Sequence, residues 1–108
     1  MLKLFTAQFR YDGKDRFDIT SKAKTAWSPP WWLVTAYQDG HIDDKIYTEK
    51  YNAFLEQSSV TRKAEWDELL QRDEVTLVCY CRTDNFCHRL LAAKALEKLG
   101  ATYYGEIS

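Results

Sequence analysis

Long apolar runs, an excess of one charge and paired cysteines are all missing from this chain. No stretch approaches the roughly 20 consecutive apolar residues that a membrane-spanning helix needs, so a membrane role is not expected. The opening Met1–Phe5 also lacks the long apolar region of a signal peptide, because Gln8, Arg10 and Asp12 interrupt it. Lys and Arg number 15 against 16 Asp and Glu, leaving a net charge of -1 and a pI of about 6.1. A chain so balanced has no field to hold nucleic acid by bulk charge, and any such contact would have to come from local basic clusters. Cysteine is scarce and odd in number, with three. Two form Cys79-x-Cys81 on an expected strand, where alternate residues stand roughly 6.5–7 Å apart, at or beyond disulfide range. Reduced thiols and a cytoplasmic location are the expectation. Repeats, low-complexity tracts and a second domain are also absent. Residues 1–108 therefore read as one domain, long enough to bury a core without staples.

Aromatic residues are plentiful: 15% of the chain, with four Trp and seven Tyr. Three of the Trp crowd into Trp27-Ser-Pro-Pro-Trp-Trp32. Burial is the commoner fate of such rings, and stacking on a base is the alternative. Around them the chain alternates short β-prone and longer helical segments. Leu2–Phe9 is the first expected strand, Tyr11–Lys14 a turn, and Arg16–Thr20 a second extended piece. Residues 21–30 read as loop, since Pro29 and Pro30 exclude regular pairing. Trp31–Gln38 has a helical apolar run closed by Asp39-Gly40. A second helix starts at Asp43 or Asp44, with Ile46, Tyr47, Tyr51, Phe54 and Leu55 at helical spacing. Ser58 or Ser59 is an expected cap for a third, marked by Trp66, Leu69 and Leu70.

Val75–Tyr80 is apolar on both faces, as a buried parallel strand should be. Phe86–Leu99 reads as the last helix. Asp84 or Asn85 is its cap, Gly100 its end, and Leu91, Ala92, Ala95, Leu96 and Leu99 its inward stripe. Ala101–Tyr104 is a closing strand. The strand, helix, strand order implies a parallel crossover. The expected fold is α/β: a small single domain with a mostly parallel sheet flanked by helices.

All three cysteines and His88 fall between the last long strand and the start of the last helix. That junction is where α/β proteins bind ligands, anions above all. Three chemistries fit it. Cys79, Cys81, Cys87 and His88 are metal-ligand types, but their spacing is not a common zinc spacing and no second knuckle accompanies them, so no metal or other cofactor is expected. Cys87 is a candidate nucleophile, because a helix start with Arg82, His88 and Arg89 nearby favours a thiolate, and His88 is a candidate general acid or base. The span from Cys81 to Arg89 is, however, too long for a Cys-x5-Arg cradle and contains no Gly. The third reading is anion binding by Cys81, Arg82, Asn85, Cys87, His88 and Arg89. Cys79 reads best as a small buried hydrophobe. Arg16, Asp18 and Thr20 would point one way if extended. Glu106, just past the last strand, falls at another strand end and so near the same crevice.

Leu77-Val-Cys-Tyr-Cys81, Phe86-Cys-His-Arg-Leu-Leu91 and Gly105-Glu106 resemble the family called domain of unknown function 488. Phe17-Asp-Ile-Thr20, Ser28-Pro-Pro-Trp31 and Tyr47-x3-Tyr51 are similar to its upstream signatures. The resemblance covers most of the chain and implies a compact form of the kind found in phage and bacterial genomes. Many members of that family carry Glu at the position of Cys81, which argues against an obligate zinc thiolate or nucleophile there. Cys87, His88 and Arg89 are the positions that match the family core.

These observations lead to one primary expectation and two alternatives. The primary one is a phosphate-bearing small ligand, most simply a nucleotide, held at the Cys81–Arg89 turn with Tyr80, Trp31 or Trp32 stacking on its base. A thiol- or His-dependent enzyme acting on a nucleotide or nucleic-acid end is the first alternative. The second is a protein-interaction module using the Trp-rich segment. No motif encodes an oligomeric state.

Overall fold

The computed structural model describes residues 2–79 and 88–107. In chain order these form strands β1 (Lys3–Gln8) and β2 (Arg16–Asp18), a 3₁₀ turn (Ser21–Ala23), and helices α1 (Trp31–Gln38), α2 (Asp44–Thr61) and α3 (Lys63–Leu70). Strand β3 (Glu74–Cys79), helix α4 (His88–Lys98) and strand β4 (Thr102–Ile107) follow. The strands pair in the order β2-β3-β1-β4, every pairing parallel. The chain is thus a small α/β protein of the expected class.

Strand composition explains the order. β3 is buried at every position from Val75 to Cys79, which suits an interior strand covered on both sides. On one face Leu4, Val75, Leu77 and Cys79 join Leu33, Tyr51, Leu55, Trp66, Leu69 and Leu96 in a single cluster, so all four helices feed one core. On the other face Thr76 is covered by the segment between β1 and β2. Asp15 there accepts hydrogen bonds from the Thr76 hydroxyl at 2.5 Å and the Tyr11 hydroxyl at 2.6 Å. Burial pushes the Asp15 pKa up, but those hydrogen bonds outweigh it and hold the carboxyl below its ordinary range. The Arg16 guanidinium lies 4.4 Å over the Phe9 ring and donates to the Phe9 and Tyr11 carbonyls. Arg16 therefore serves this cover.

Local signals set the start of α2 and the end of α1. The Asp43 carboxylate caps α2 by accepting from the Ile46 amide at 2.9 Å. At the end of α1 the Gly40 amide donates to the Tyr37 carbonyl and the His41 amide to Ala36, a Schellman closure made possible by φ of 80° at Gly40.

Three expectations need correction. Ser58 and Ser59 do not open a third helix, because α2 runs through them to Thr61. Ser58 is instead buried, its hydroxyl donating to the Ala26 carbonyl at 2.6 Å and accepting from Trp66 Nε1 at 3.1 Å. The buried stripe of α4 is Arg89, Ala92, Ala93 and Leu96, while Leu99 is 53% exposed. Finally, β4 does not stop at Tyr104 but continues through Gly105 and Glu106 to Ile107. Tyr80, at the expected end of β3, and Phe86 and Cys87, at the expected start of α4, lie outside the described residues.

Candidate functional site

Parallel strands end on one edge of a sheet, and the first two residues of α4 tie this edge together. Arg89 is 1% exposed. Its Nε donates to Glu106 Oε1 at 3.1 Å and its Nη2 to Glu106 Oε2 at 2.7 Å, a bidentate fork. Nη1 donates to Cys79 Sγ at 3.2 Å. Cys79 ends β3 and Glu106 lies near the end of β4, with β1 between them. The guanidinium therefore bridges the ends of two strands across the central one. His88 Nε2 lies 2.9 Å from the carbonyl oxygen of Ile19, just beyond β2. The Ile19 amide in turn donates to the Val78 carbonyl at 3.1 Å. The ends of β2, β3 and β4 are thus tied to the start of α4.

A bulge makes the Arg89–Glu106 contact geometrically possible. Leu4 is paired with Tyr103, but the next β1 residue, Phe5, is paired with Gly105 and Thr6 with Glu106. Tyr104 is the extra residue. In an unbroken strand positions 103 and 106 would face opposite sides. With one residue inserted, both face the helices, and there the Tyr103 hydroxyl meets Thr6 Oγ1 at 2.6 Å. Tyr104 stacks on Phe5, ring centroids 5.4 Å apart. Gly105, with φ of 119°, supplies the backbone conformation.

His88 is the buried titratable group of the edge. Burial pushes its pKa below the ordinary 6.5, and Arg89 adds to that, while Cys79, Asp18 and the Ile19 bond oppose it. The ring is therefore held towards its neutral form. A carbonyl only accepts, so Nε2 carries the proton and Nδ1 is the basic nitrogen. Tyr51 of α2 packs edge-on against the ring at 5.5 Å between centroids, and its hydroxyl donates to the Trp27 carbonyl at 2.6 Å. The edge is thereby connected to the buried Trp27 loop.

Of the residues singled out in the sequence, His88, Arg89 and Glu106 come together. Cys81, Arg82, Asn85 and Cys87 lie outside the described residues. Trp31 and Trp32 are 60% and 59% exposed at the start of α1, and the Lys50 ammonium stands 6.0 Å from the Trp32 ring. Trp27, in contrast, is core, between Phe17 at 5.4 Å and Trp66 at 5.1 Å. Asp18 accepts from the Thr20 amide at 2.8 Å in a local turn. Among the described residues no three His, Cys, Asp or Glu side chains gather as metal ligands, and no helix is long and apolar enough to cross a membrane. Cys79 and Ile19 are participants that pattern reading missed. Cys79 is buried as expected but also accepts from Arg89. Ile19 contributes a main-chain oxygen, for which no side-chain signal exists.

Chemically, the arrangement offers a carboxylate fixed by a buried guanidinium, a neutral imidazole locked in one tautomer, and the positive end of α4. Residues 4–100 match a family model, DUF488-N3a, described as the active DUF488-N3 subclade. Neither the curated proteins nor the solved structures yielded a match.

Proposed function

The chain belongs to the DUF488 family, and from the geometry of its strand-end cluster we propose that it binds a phosphate-bearing small ligand, a nucleotide by class, at the carboxyl edge of the sheet. The observation that carries this reading is the buried Arg89–Glu106 fork. A buried ion pair is poor value as a stabiliser, because desolvating each ion costs several kcal/mol and an apolar pair of similar volume is often as good. Its position, beneath a helix start at the ends of parallel strands, suits a site better than a core.

The fork assigns the roles. Arg89 acts by positioning, since its guanidinium faces Glu106 and Cys79. Glu106 is only partly buried, at 21% side-chain exposure, and its carboxylate retains lone pairs beyond the two that Arg89 uses. A carboxylate so fixed is suited to accept from the hydroxyls of a ribose, as acidic residues at strand ends do in dinucleotide-binding sheets. The start of α4 favours the phosphate. In sequence the Cys81–Cys87 segment leads from β3 into α4. A sugar and a phosphate together make a nucleotide the best-fitting class.

Calorimetric titration with a panel of nucleoside mono- and triphosphates tests this. Glu106→Gln leaves the buried Arg89 without its counter-charge and should cost stability, and under conditions where circular dichroism shows it folded it should weaken binding by roughly tenfold or more, the scale of one charged hydrogen bond. Undiminished affinity in that variant, or no binding by the wild type across the panel, would remove the assignment.

A second reading, turnover of the ligand, is favoured by the neutral, tautomer-locked His88, whose Nδ1 is suited to accept a proton. The description of the matched subclade as active is in keeping with it. Chromatography of the same titration mixtures separates the two readings, because only turnover changes the nucleotide.

A further inference from the structure

Outside the strand-end cluster, a groove of about 640 Å³ lies between α2 and α4. Its apolar lining comes from Ala53, Leu55, Trp66, Leu91 and Ala95. Glu49 and Glu56 stand on the α2 side, Lys94 and Lys98 on the α4 side. All four charged side chains are exposed. None forms an ion pair with the others or with any described residue, although charges around α3 do pair, as in Lys63–Asp67 at 2.7 Å and Arg72–Glu68 at 2.8 Å. The groove thus holds its acidic and basic walls apart over an apolar floor with small residues at Ala53 and Ala95.

We propose that this groove is the interface of a homodimer, occupied by the same face of a second copy. Self-complementarity selects that occupant. When two identical grooves face each other about a two-fold axis running along the groove, the acidic wall of each lies against the basic wall of the other. A two-fold axis across the groove would set Glu against Glu and Lys against Lys, and is disfavoured. The charges therefore specify both a partner and an orientation: α2 of one copy beside α4 of the other. The two alanines let the helices approach, and Leu99, 53% exposed, gains cover. None of His88, Arg89 or Glu106 lines the groove, so dimerisation stands or falls independently of the ligand reading.

Sedimentation velocity on the full chain tests this. The wild type should sediment at twice the 12.7 kDa chain mass at micromolar to tens-of-micromolar concentration, and its dissociation constant should rise with salt. Glu49→Lys with Glu56→Lys makes an all-basic groove, and Lys94→Glu with Lys98→Glu an all-acidic one. Each double variant alone should be a monomer, its self-association weakened by roughly 100-fold or more. An equimolar mixture of the two should recover a dimer, because opposite walls meet again, and that recovery also shows that both variants are folded. A wild type that remains monomeric at hundreds of micromolar, or a dimer indifferent to both reversals, overturns the proposal. So does a mixture that fails to associate while both variants retain native circular dichroism.

Discussion

At the scale of the residue, His88 links the candidate site to the solution pH. Its imidazole is buried at the head of α4, and burial holds its pKa below 6.5 in the folded chain. In the unfolded chain the ring returns to the ordinary value, so on acidification the unfolded state takes up the proton first. Stability from the neutral ring is therefore fully present above about pH 6.5 and is lost as pH falls from there towards the depressed folded value. Urea denaturation between pH 8 and pH 5 should show the midpoint falling through this window, above the range where carboxylates titrate. A His88→Gln variant should be less stable at pH 8 and flat across the window. A wild-type midpoint constant from pH 8 to 5 would show that His88 is not held neutral. His88 and Arg89 stood out in the sequence because polar residues at a helix start beside a strand end are rarely idle. Glu106 stood out too, as a strand-end residue placed near the same crevice, but that it pairs with Arg89 did not, nor did the contacts of Cys79 and Ile19. Cys79 is ten residues away in sequence, Glu106 seventeen and Ile19 sixty-nine, and only folding makes them neighbours.

At the scale of the element, the bulge in β4 decides where the Glu106 carboxylate goes. Reading along the sequence, Tyr103-Tyr104-Gly105 looks like a strand running into a stop, because glycine is a poor strand former. The bulge depends on the partner strand, which accepts one residue too many, and no local pattern announces it. Ser58 teaches the same lesson in reverse. Serine is a good helix cap, yet the hydroxyl of this one serves a carbonyl 32 residues away, and the helix passes through it. By contrast β3 and the closure of α1 were legible, since a doubly apolar run and an Asp-Gly stop act locally. The bulge yields a clean test, because a Cβ added at Gly105 meets nothing within 4 Å. Any cost of Gly105→Ala is therefore conformational strain at φ of 119°, not a clash. We expect a loss of about 1–3 kcal/mol in chemical denaturation. Nucleotide affinity should weaken as well, because strain relief in β4 shifts Glu106 relative to Arg89. Full stability in the variant would mean that the bulge does not depend on glycine.

At the scale of the whole molecule, one core has to account for everything. Strands adjacent in the sheet are far apart in the chain, with Lys3 paired to both Glu74 and Thr102. No described strand pair is a hairpin that could form first and stand alone. The helices cannot do so either, because Tyr51, Leu55, Trp66 and Leu96 bury themselves in the same cluster as the sheet. A chain so arranged should unfold as a unit and refold slowly for its size, on the order of milliseconds to seconds, since non-local parallel pairing must pay loop-closure entropy before it gains contacts. The tryptophans supply a built-in probe. Trp27 and Trp66 touch inside the core and report its packing, whereas Trp31 and Trp32 stand in solvent. With Trp31 and Trp32 replaced by Phe, fluorescence follows the core alone and far-ultraviolet circular dichroism follows the helices. The two urea transitions should coincide in midpoint and slope, the signature of two-state behaviour. Measured at several protein concentrations, the shared midpoint should also rise with concentration if the α2–α4 groove joins two copies. Separate transitions would instead mean that the helices outlast the core, and that the strand ends gathered beneath α4 can open while the rest of the molecule stays folded.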